Sequence, residues 1–150
     1  MAFSPAQIIR KLLLDTVLAG EFSAEEFSSD DFNTAWPCYV GSMPDNPNEC
    51  ICVIDTGSLK DGRLLRTGEV IEHPACQIQI RARKFSTGWG KGKLIQDKVD
   101  SVVKATVVMD ADTTETIHAI SRAQSLLYIG TETSTTKRRQ LFTLNITITL

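Results

Sequence analysis

The stretch Phe142-Thr-Leu-Asn-Ile-Thr-Ile-Thr-Leu150 alternates apolar and polar side chains without a break. A period of two residues predicts a β-strand with one apolar face and one polar face. The strand follows the basic cluster Lys137-Arg138-Arg139-Gln140 and runs to residue 150, so we expect it to pair within a sheet and not to fray. Its threonine-rich face is typical of a surface that contacts another molecule.

The first half of the chain predicts one helix and three strands. An apolar stripe after Ser4-Pro5 predicts a helix that ends near Gly20. The polar segment 21–33, which holds five acidic residues and three phenylalanines, predicts a loop. Strands are predicted at 36–43, 50–54 and 76–83, with a turn at Asp61-Gly62.

The second half predicts one helix and two strands. Apolar residues at helical spacing in 95–103 indicate an amphipathic helix, preceded by a flexible glycine-rich entry at 88–92. A strand at 116–128 and a loop at 130–136 then lead into the terminal strand. The resulting order, α-β-β-β-α-β-β, predicts an α+β fold in which a mainly antiparallel sheet has two main helices packed on one face.

Composition limits the class of protein. A chain of 150 residues that is 42% hydrophobic suits a single domain spanning residues 1–150. Sixteen basic residues against eighteen acidic ones give a net charge of −2, which disfavours a net-basic nucleic-acid-binding protein. We expect neither a membrane span, since no apolar run reaches about 18 residues, nor a secretory signal. The four cysteines are then expected to be free thiols in a reducing cytoplasm.

No motif predicts catalysis or cofactor binding. Cys50, Cys52, His73 and Cys76 are chemically suitable for zinc, but their spacing is not that of a structural zinc site, so buried thiols are favoured. Gly92-Lys93 lacks the glycine and the hydroxyl residue of a phosphate-binding loop. With two histidines and no nucleophile in a recognisable context, the sequence predicts no enzyme, no metal and no cofactor.

Charge is unevenly distributed along the chain. Residues 1–35 carry two basic and six acidic side chains, a balance of −4, whereas residues 81–104 carry seven basic and two acidic ones, a balance of +5. Such runs are often only solvated faces. The alternative is that acidic and basic faces meet between copies of the chain. A small nucleic-acid-binding module using residues 81–104 is a further alternative.

The chain resembles the tail terminator, or tail completion, proteins of long-tailed bacteriophages. The resemblance lies in Pro74-Ala-Cys-Gln-Ile-Gln-Ile-Arg81 before a helix, in Ile129-Gly130, and in the ending Arg138-Arg139-x-x-Phe142-Thr143-x-Asn145 followed by the alternating strand. On these motifs and on the basic residue that follows the first of them, candidate assembly-interface residues are Arg81, Arg83, Arg138, Arg139, Thr143 and Asn145.

The resemblance implies a structural virion protein at the head-proximal end of the tail, assembled in the host cytoplasm. A homo-oligomeric ring, usually a hexamer, would cap the tail tube, stop its polymerisation and dock the neck or head-completion protein. Its partners would be itself, the tail tube protein and the neck protein, while DNA passes through the lumen without specific recognition. A head–tail connector or minor capsid protein is the nearest alternative, and a small α+β enzyme is an alternative of another class.

Overall fold

A computed structural model of the chain describes residues 3–15, 22–23, 36–45, 48–63, 65–68, 70–102, 104–133 and 138–150. In this part of the chain, two helices and nine strands follow one another. They are α1 (Pro5–Asp15), β1 (Phe22–Ser23), β2 (Trp36–Val40), β3 (Cys50–Arg63), β4 (Val70–Ala82), α2 (Phe85–Ser101), β5 (Ala105–Val108), β6 (Thr114–Ile117), β7 (Ala119–Arg122), β8 (Leu127–Thr133) and β9 (Arg138–Thr149). The predicted α+β class is confirmed.

The main sheet has the strand order β1-β2-β3-β4-β9-β7, and β8 also pairs with β9. Its centre is antiparallel, as predicted, while β1, β2 and β3 run parallel to one another. β7 pairs with residues 146–149 of β9 and β8 with residues 138–143, so the two form one interrupted strand beside β9. β5 and β6 form a separate two-stranded sheet.

Strand alternation gives the main sheet two chemically different faces. Ile78 of β4 lies opposite Val53 of β3 and Leu144 of β9, and all three side chains are fully buried in one cluster. We call this side of the sheet the helix face, because residues of both helices join the same cluster, which confirms the predicted packing. The helix residues are Ala6, Ile8, Ile9, Leu12, Leu13, Ile95 and Val99.

The prediction of a flexible glycine-rich entry to the second helix was wrong. α2 begins at Phe85, so Gly88, Gly90 and Gly92 lie inside the helix. Gly88 and Gly92 are buried, because the missing side chains let the helix approach Phe142 and Leu126 closely. Tertiary packing on the helix face therefore outweighs the low helix propensity of glycine.

The predicted strand at 116–128 is also corrected, because the chain is interrupted within it. β7 starts at Ala119, and after Ala123, whose N–H still donates to the Asn145 carbonyl oxygen at 3.2 Å, the chain leaves the ladder and brings Leu126 against α2. The Leu126 N–H donates a 2.9 Å hydrogen bond to Gln96 Oε1 of α2. This bond gives the Leu126 N–H an acceptor in place of a partner in the sheet.

Three turn or loop predictions are corrected as well. The first predicted strand ends at Val40, because Gly41 adopts a φ of +88° that leaves the extended conformation. Asp61-Gly62 lies within β3, and the turn follows at 65–67. The predicted loop at 130–136 begins instead as part of β8, which extends to residue 133, and residues 134–136 lie outside the described part.

The remaining predictions for the N-terminal region lie largely outside the described residues. This holds for the helix end at Gly20 and for most of the acidic segment 21–33, in which Phe22–Ser23 form β1 where a loop was predicted. Among the described residues, none of the helices has the length and apolar character needed to cross a bilayer.

Candidate assembly surface

The face of the sheet opposite the helices, here called the open face, carries two buried arginines. Arg81 of β4 and Arg139 of β9 expose only 3% and 2% of their surface. Arg81 donates through Nε to the Asn48 carbonyl oxygen at 3.3 Å and through Nη2 to the Pro44 carbonyl oxygen. These bonds hold the connection between β2 and β3 against the open face.

Arg139 binds the same connection from the neighbouring strand. Its Nη1 donates to the Asp45 carbonyl oxygen at 2.6 Å, and its Nη2 lies 3.1 Å from both Asp45 Oδ1 and Glu132 Oε1. The bond joins residues that are 94 positions apart in the sequence. The two guanidinium groups thus close this end of the open face, and both are structural within a single copy.

The electrostatics of the arginine pair follow from burial. Loss of water lowers the pKa of Arg81, and the nearby Arg139 adds to this effect, while Cys50, Glu132 and Asp45 oppose it. Burial raises the pKa of the adjacent Cys50 thiol to about 11, although Arg81 and Arg139 favour the thiolate. At neutral pH this thiol is therefore protonated and a poor nucleophile.

Farther along the open face, side-chain amides form a row across β4 and β9. Gln79 Nε2 donates to Gln77 Oε1 at 2.9 Å, and Gln77 Nε2 donates to Asn145 Oδ1 at 3.1 Å. Asn145 is half-buried, and the neighbouring Thr143 is only 3% exposed. Asn145 is therefore engaged within the chain, whereas the buried Thr143 Oγ1 has no hydrogen-bond partner in the described part of the chain.

The two remaining candidate interface residues, Arg83 and Arg138, are exposed. Arg83 follows the last residue of β4, and Arg138 is the first residue of β9. Because Ala82 pairs with Gln140, both lie at the same end of these adjacent strands, as does the exposed Lys84. The six candidate residues thus separate into two exposed cations, two buried arginines, one residue of the amide row (Asn145) and one buried threonine (Thr143).

An aromatic cluster beside these cations was missed by sequence reasoning. The rings of Phe85 and Trp89, one helical turn apart on α2, stack with centroids 5.9 Å apart. Phe85 also contacts Tyr128 of β8 at 5.1 Å and the buried Phe142 of β9 at 5.3 Å. The four-residue spacing of Phe85 and Trp89 is typical of one helix face, but Gly88 between them favoured the prediction of a flexible entry.

Three members of the cluster reach the surface. Phe85, Trp89 and Tyr128 expose 48%, 36% and 39% of their area. The Nζ atom of Lys93 lies 5.0 Å above the Trp89 ring. On β8, Leu127 and Ile129 are 46% and 56% exposed. The end of the molecule formed by α2 and β8 therefore combines apolar area with positive charge.

The structure places the cysteines of the candidate zinc set on two different faces of the sheet. Cys50 and Cys52 are buried on the open face, whereas Cys76 lies on the helix face, where its Sγ is 3.9 Å from Asp55 Oδ1. Within the described ranges, no group of three or more His, Cys, Asp or Glu side chains is placed to hold a metal ion. Burial raises the pKa of all four free thiols, the remaining one being Cys38.

The chain matches a known protein family over most of its length. A family model described as bacteriophage tail terminator protein matches residues 26–150. The matched range contains β2 to β9 and α2, and therefore both buried arginines and the aromatic cluster. A comparison with curated proteins found no match. The resemblance noted in the sequence is confirmed at the level of the family.

Proposed function

The chain belongs to the bacteriophage tail terminator proteins, structural components of the virion tail, and from this we propose that it forms a ring at the head-proximal end of the tail tube. The ring, expected to be a hexamer, stops polymerisation of the tube protein and offers a docking surface to the neck or head-completion protein. Assembly takes place in the host cytoplasm. DNA passes through the lumen without sequence recognition.

The observation that carries this proposal is the family match across residues 26–150. The surface chemistry supports it, because exposed aromatic and aliphatic side chains lie beside exposed cations at one end of the sheet. Contiguous exposed apolar area beside charge is typical of protein–protein contacts. An assembly role needs such surfaces and requires no reacting group, cofactor or metal.

The mechanism is geometric. A closed ring ends an assembly when one of its faces matches the tube and the other does not accept a further tube ring. Discrimination between the two faces then depends on complementary contacts with the right partner and on repulsion of the wrong one. Arg83 and Arg138 are the exposed cations of the predicted interface, and the buried Arg81 and Arg139 support it by holding the connection between β2 and β3.

The proposal is tested by measuring mass in solution and by imaging the protein on assembled tail tubes. We expect a discrete ring, in solution or on the tube, at one tube end only. The double variant Arg83→Glu and Arg138→Glu should weaken assembly while the fold is kept. The matched control is Arg66→Glu, an exposed position in the turn at the opposite end of β4. A protein that stays monomeric and never decorates a tube end overturns the terminator function.

A second candidate function rests on the exposed aromatic rings. Phe85 and Trp89 stack beside Lys84 and Lys93 within the basic stretch 81–104, and stacking rings next to cations are a common platform for single-stranded nucleic acid. Binding of a labelled single-stranded oligonucleotide at several salt concentrations tests it. Affinity that falls steeply with salt and is lost in Trp89→Ala would favour this function.

A further inference from the structure

The strand β8 has an edge that no other described strand covers. Within the described residues, β8 pairs only with β9, so no described strand pairs with its outer backbone N–H and C=O groups. Leu127, Tyr128 and Ile129 on this strand are 39–56% exposed, and Tyr128 contacts Phe85 of α2, which in turn stacks on Trp89. We call these five residues the α2–β8 surface. An apolar edge strand is a template for pairing with another chain, unless it is protected.

A second element of the same chain also has available strand edges. β5 and β6 form a two-stranded sheet that pairs with no other strand in the described ranges. Val107 of β5 and Ile117 of β6 are buried in the core cluster, so one side of the hairpin packs on the domain while its outer strand edges pair with no other described strand. Val108, at the end of β5, is 56% exposed and offers apolar area next to the hairpin turn.

The charges of these two elements are complementary. Arg83, Lys84 and Lys93 surround the α2–β8 surface. The hairpin turn carries Asp110 and Asp112, which are both exposed. The Asp110 carboxylate accepts a 2.9 Å hydrogen bond from the Asp112 N–H, and this bond lowers the pKa of Asp110. The turn therefore stays anionic at neutral pH and suits a cationic neighbour.

The two elements leave opposite ends of α2. The α2–β8 surface includes Phe85, the first residue of the helix, and β5 starts four residues after Ser101, the last. A helix of 17 residues is about 25 Å long. A ring of identical subunits requires two different complementary surfaces on each copy, joined head to tail. The α2–β8 surface and the β5–β6 hairpin meet this requirement, because each has an outer strand edge and exposed apolar area and the two carry opposite charges.

We infer that the β5–β6 hairpin of one copy adds to the β8 edge of the next copy and thereby closes the proposed ring head to tail. Backbone hydrogen bonds between the edge strands supply the register. Val108 meets the exposed aromatic and aliphatic side chains, and the hairpin aspartates meet Arg83 and Lys84. The occupant of the α2–β8 surface is thus a second copy of this chain. This inference rests on the proposed ring-forming function and identifies its subunit contact.

A charge exchange between two variants tests the pairing. Variant one carries Arg83→Glu and Lys84→Glu, and variant two carries Asp110→Lys and Asp112→Lys. Each variant alone places like charges at every subunit contact and should raise the dissociation constant at least about tenfold. In an equimolar mixture, each reversed surface meets a reversed partner, so an alternating ring should form again. Sedimentation velocity measures the masses, and circular dichroism checks that each variant is folded.

An uncharged part of the contact is tested by Ile129→Asp, which should abolish ring formation. The matched control is Leu65→Asp, since Leu65 is fully exposed in the turn at 65–67. Rings that persist in both charge variants, or that do not return in the mixture, overturn the hairpin contact. If the unaltered protein neither forms rings nor caps tubes, the proposed function fails instead. The two failures are therefore distinguishable.

Discussion

Alanine substitution of the α2 glycines should change stability in opposite directions at positions only two residues apart. In an exposed helix interior, replacing glycine by alanine stabilises the fold by about 0.8–1.0 kcal/mol, because alanine has the higher helix propensity. At Gly90, an added Cβ would meet no heavy atom within 4 Å. We therefore expect Gly90→Ala to gain nearly the full amount.

Gly88 lies in a different environment on the same helix. An added Cβ would lie 2.5 Å from Phe142 Cε2, 3.0 Å from Phe142 Cδ2 and 3.1 Å from the Ala82 Cβ. Phe142 is fully buried, so its ring can move only by displacing other core side chains. Overpacking of this kind costs about 1–3 kcal/mol, which outweighs the propensity gain. Gly88→Ala should therefore destabilise the fold by up to roughly 2 kcal/mol net.

Equilibrium urea denaturation of both variants, followed by circular dichroism, measures the difference in the free energy of unfolding. Thermal unfolding should agree, with a shift of about 2–4 °C for each kcal/mol in a domain of this size. If Gly88→Ala stabilises the protein as much as Gly90→Ala does, the close approach of α2 to Phe142 is refuted. At Gly92 an added Cβ would meet the terminal methyl groups of Leu126, which can move more readily than a ring, so Gly92→Ala should cost less than Gly88→Ala.

Two further predictions concern the open face and the buried thiols. Arg139→Ala should lower the free energy of unfolding, measured by urea denaturation, by about 2 kcal/mol, since it removes charged hydrogen bonds whose acidic partners stay partly solvated. The control Arg138→Ala should change it by less than about 0.5 kcal/mol. Equal effects would contradict the burial of Arg139 and the exposure of Arg138. Burial raises the thiol pKa from 9.0 to about 11 for Cys50 and Cys52, so the folded state favours the protonated thiol. The free energy of unfolding is therefore unaffected by the titration of these thiols below pH 9. Between pH 9 and pH 11 it declines by roughly 1.4 kcal/mol per thiol and pH unit. Thermal unfolding at pH 8 to 10.5 in reductant should show this decline, with a shallower slope in Cys52→Ala; a pH-independent stability would refute it.

Periodicity predicted the terminal strand because one face of that strand carries apolar side chains and the other carries polar ones. Phe142, Leu144, Ile146 and Ile148 are all buried on the helix face, as their alternation requires. The start of β9 at Arg138, four residues earlier, was not predictable, since the pattern there is polar. Its pairing with β8 extends the strand through residues that carry no hydrophobic signal.

The parts that sequence could not predict depend on contacts between distant segments. The burial of Arg81 and Arg139 requires the connection that contains Pro44 and Asp45, which lies 36 or more positions away. Polar residues on a predicted solvent face give no sign of such a cover. The helical conformation around Gly88 likewise depends on the Phe142 ring, so local propensity alone predicted a hinge.

The adjacent Arg138 and Arg139 belong to one basic cluster but lie in different environments. In a strand, successive side chains point to opposite faces, so Arg139 is placed under the β2–β3 connection while Arg138 stays in solvent. At this end of the sheet, helices cover one face, and Pro44, Asp45 and Asn48 contact the arginines on the other. Among the described strands, the remaining backbone pairing capacity on this side lies at the outer edge of β8. The proposed contact between copies uses that edge, and in this proposal the exposed cations beside it select an anionic surface of the next copy.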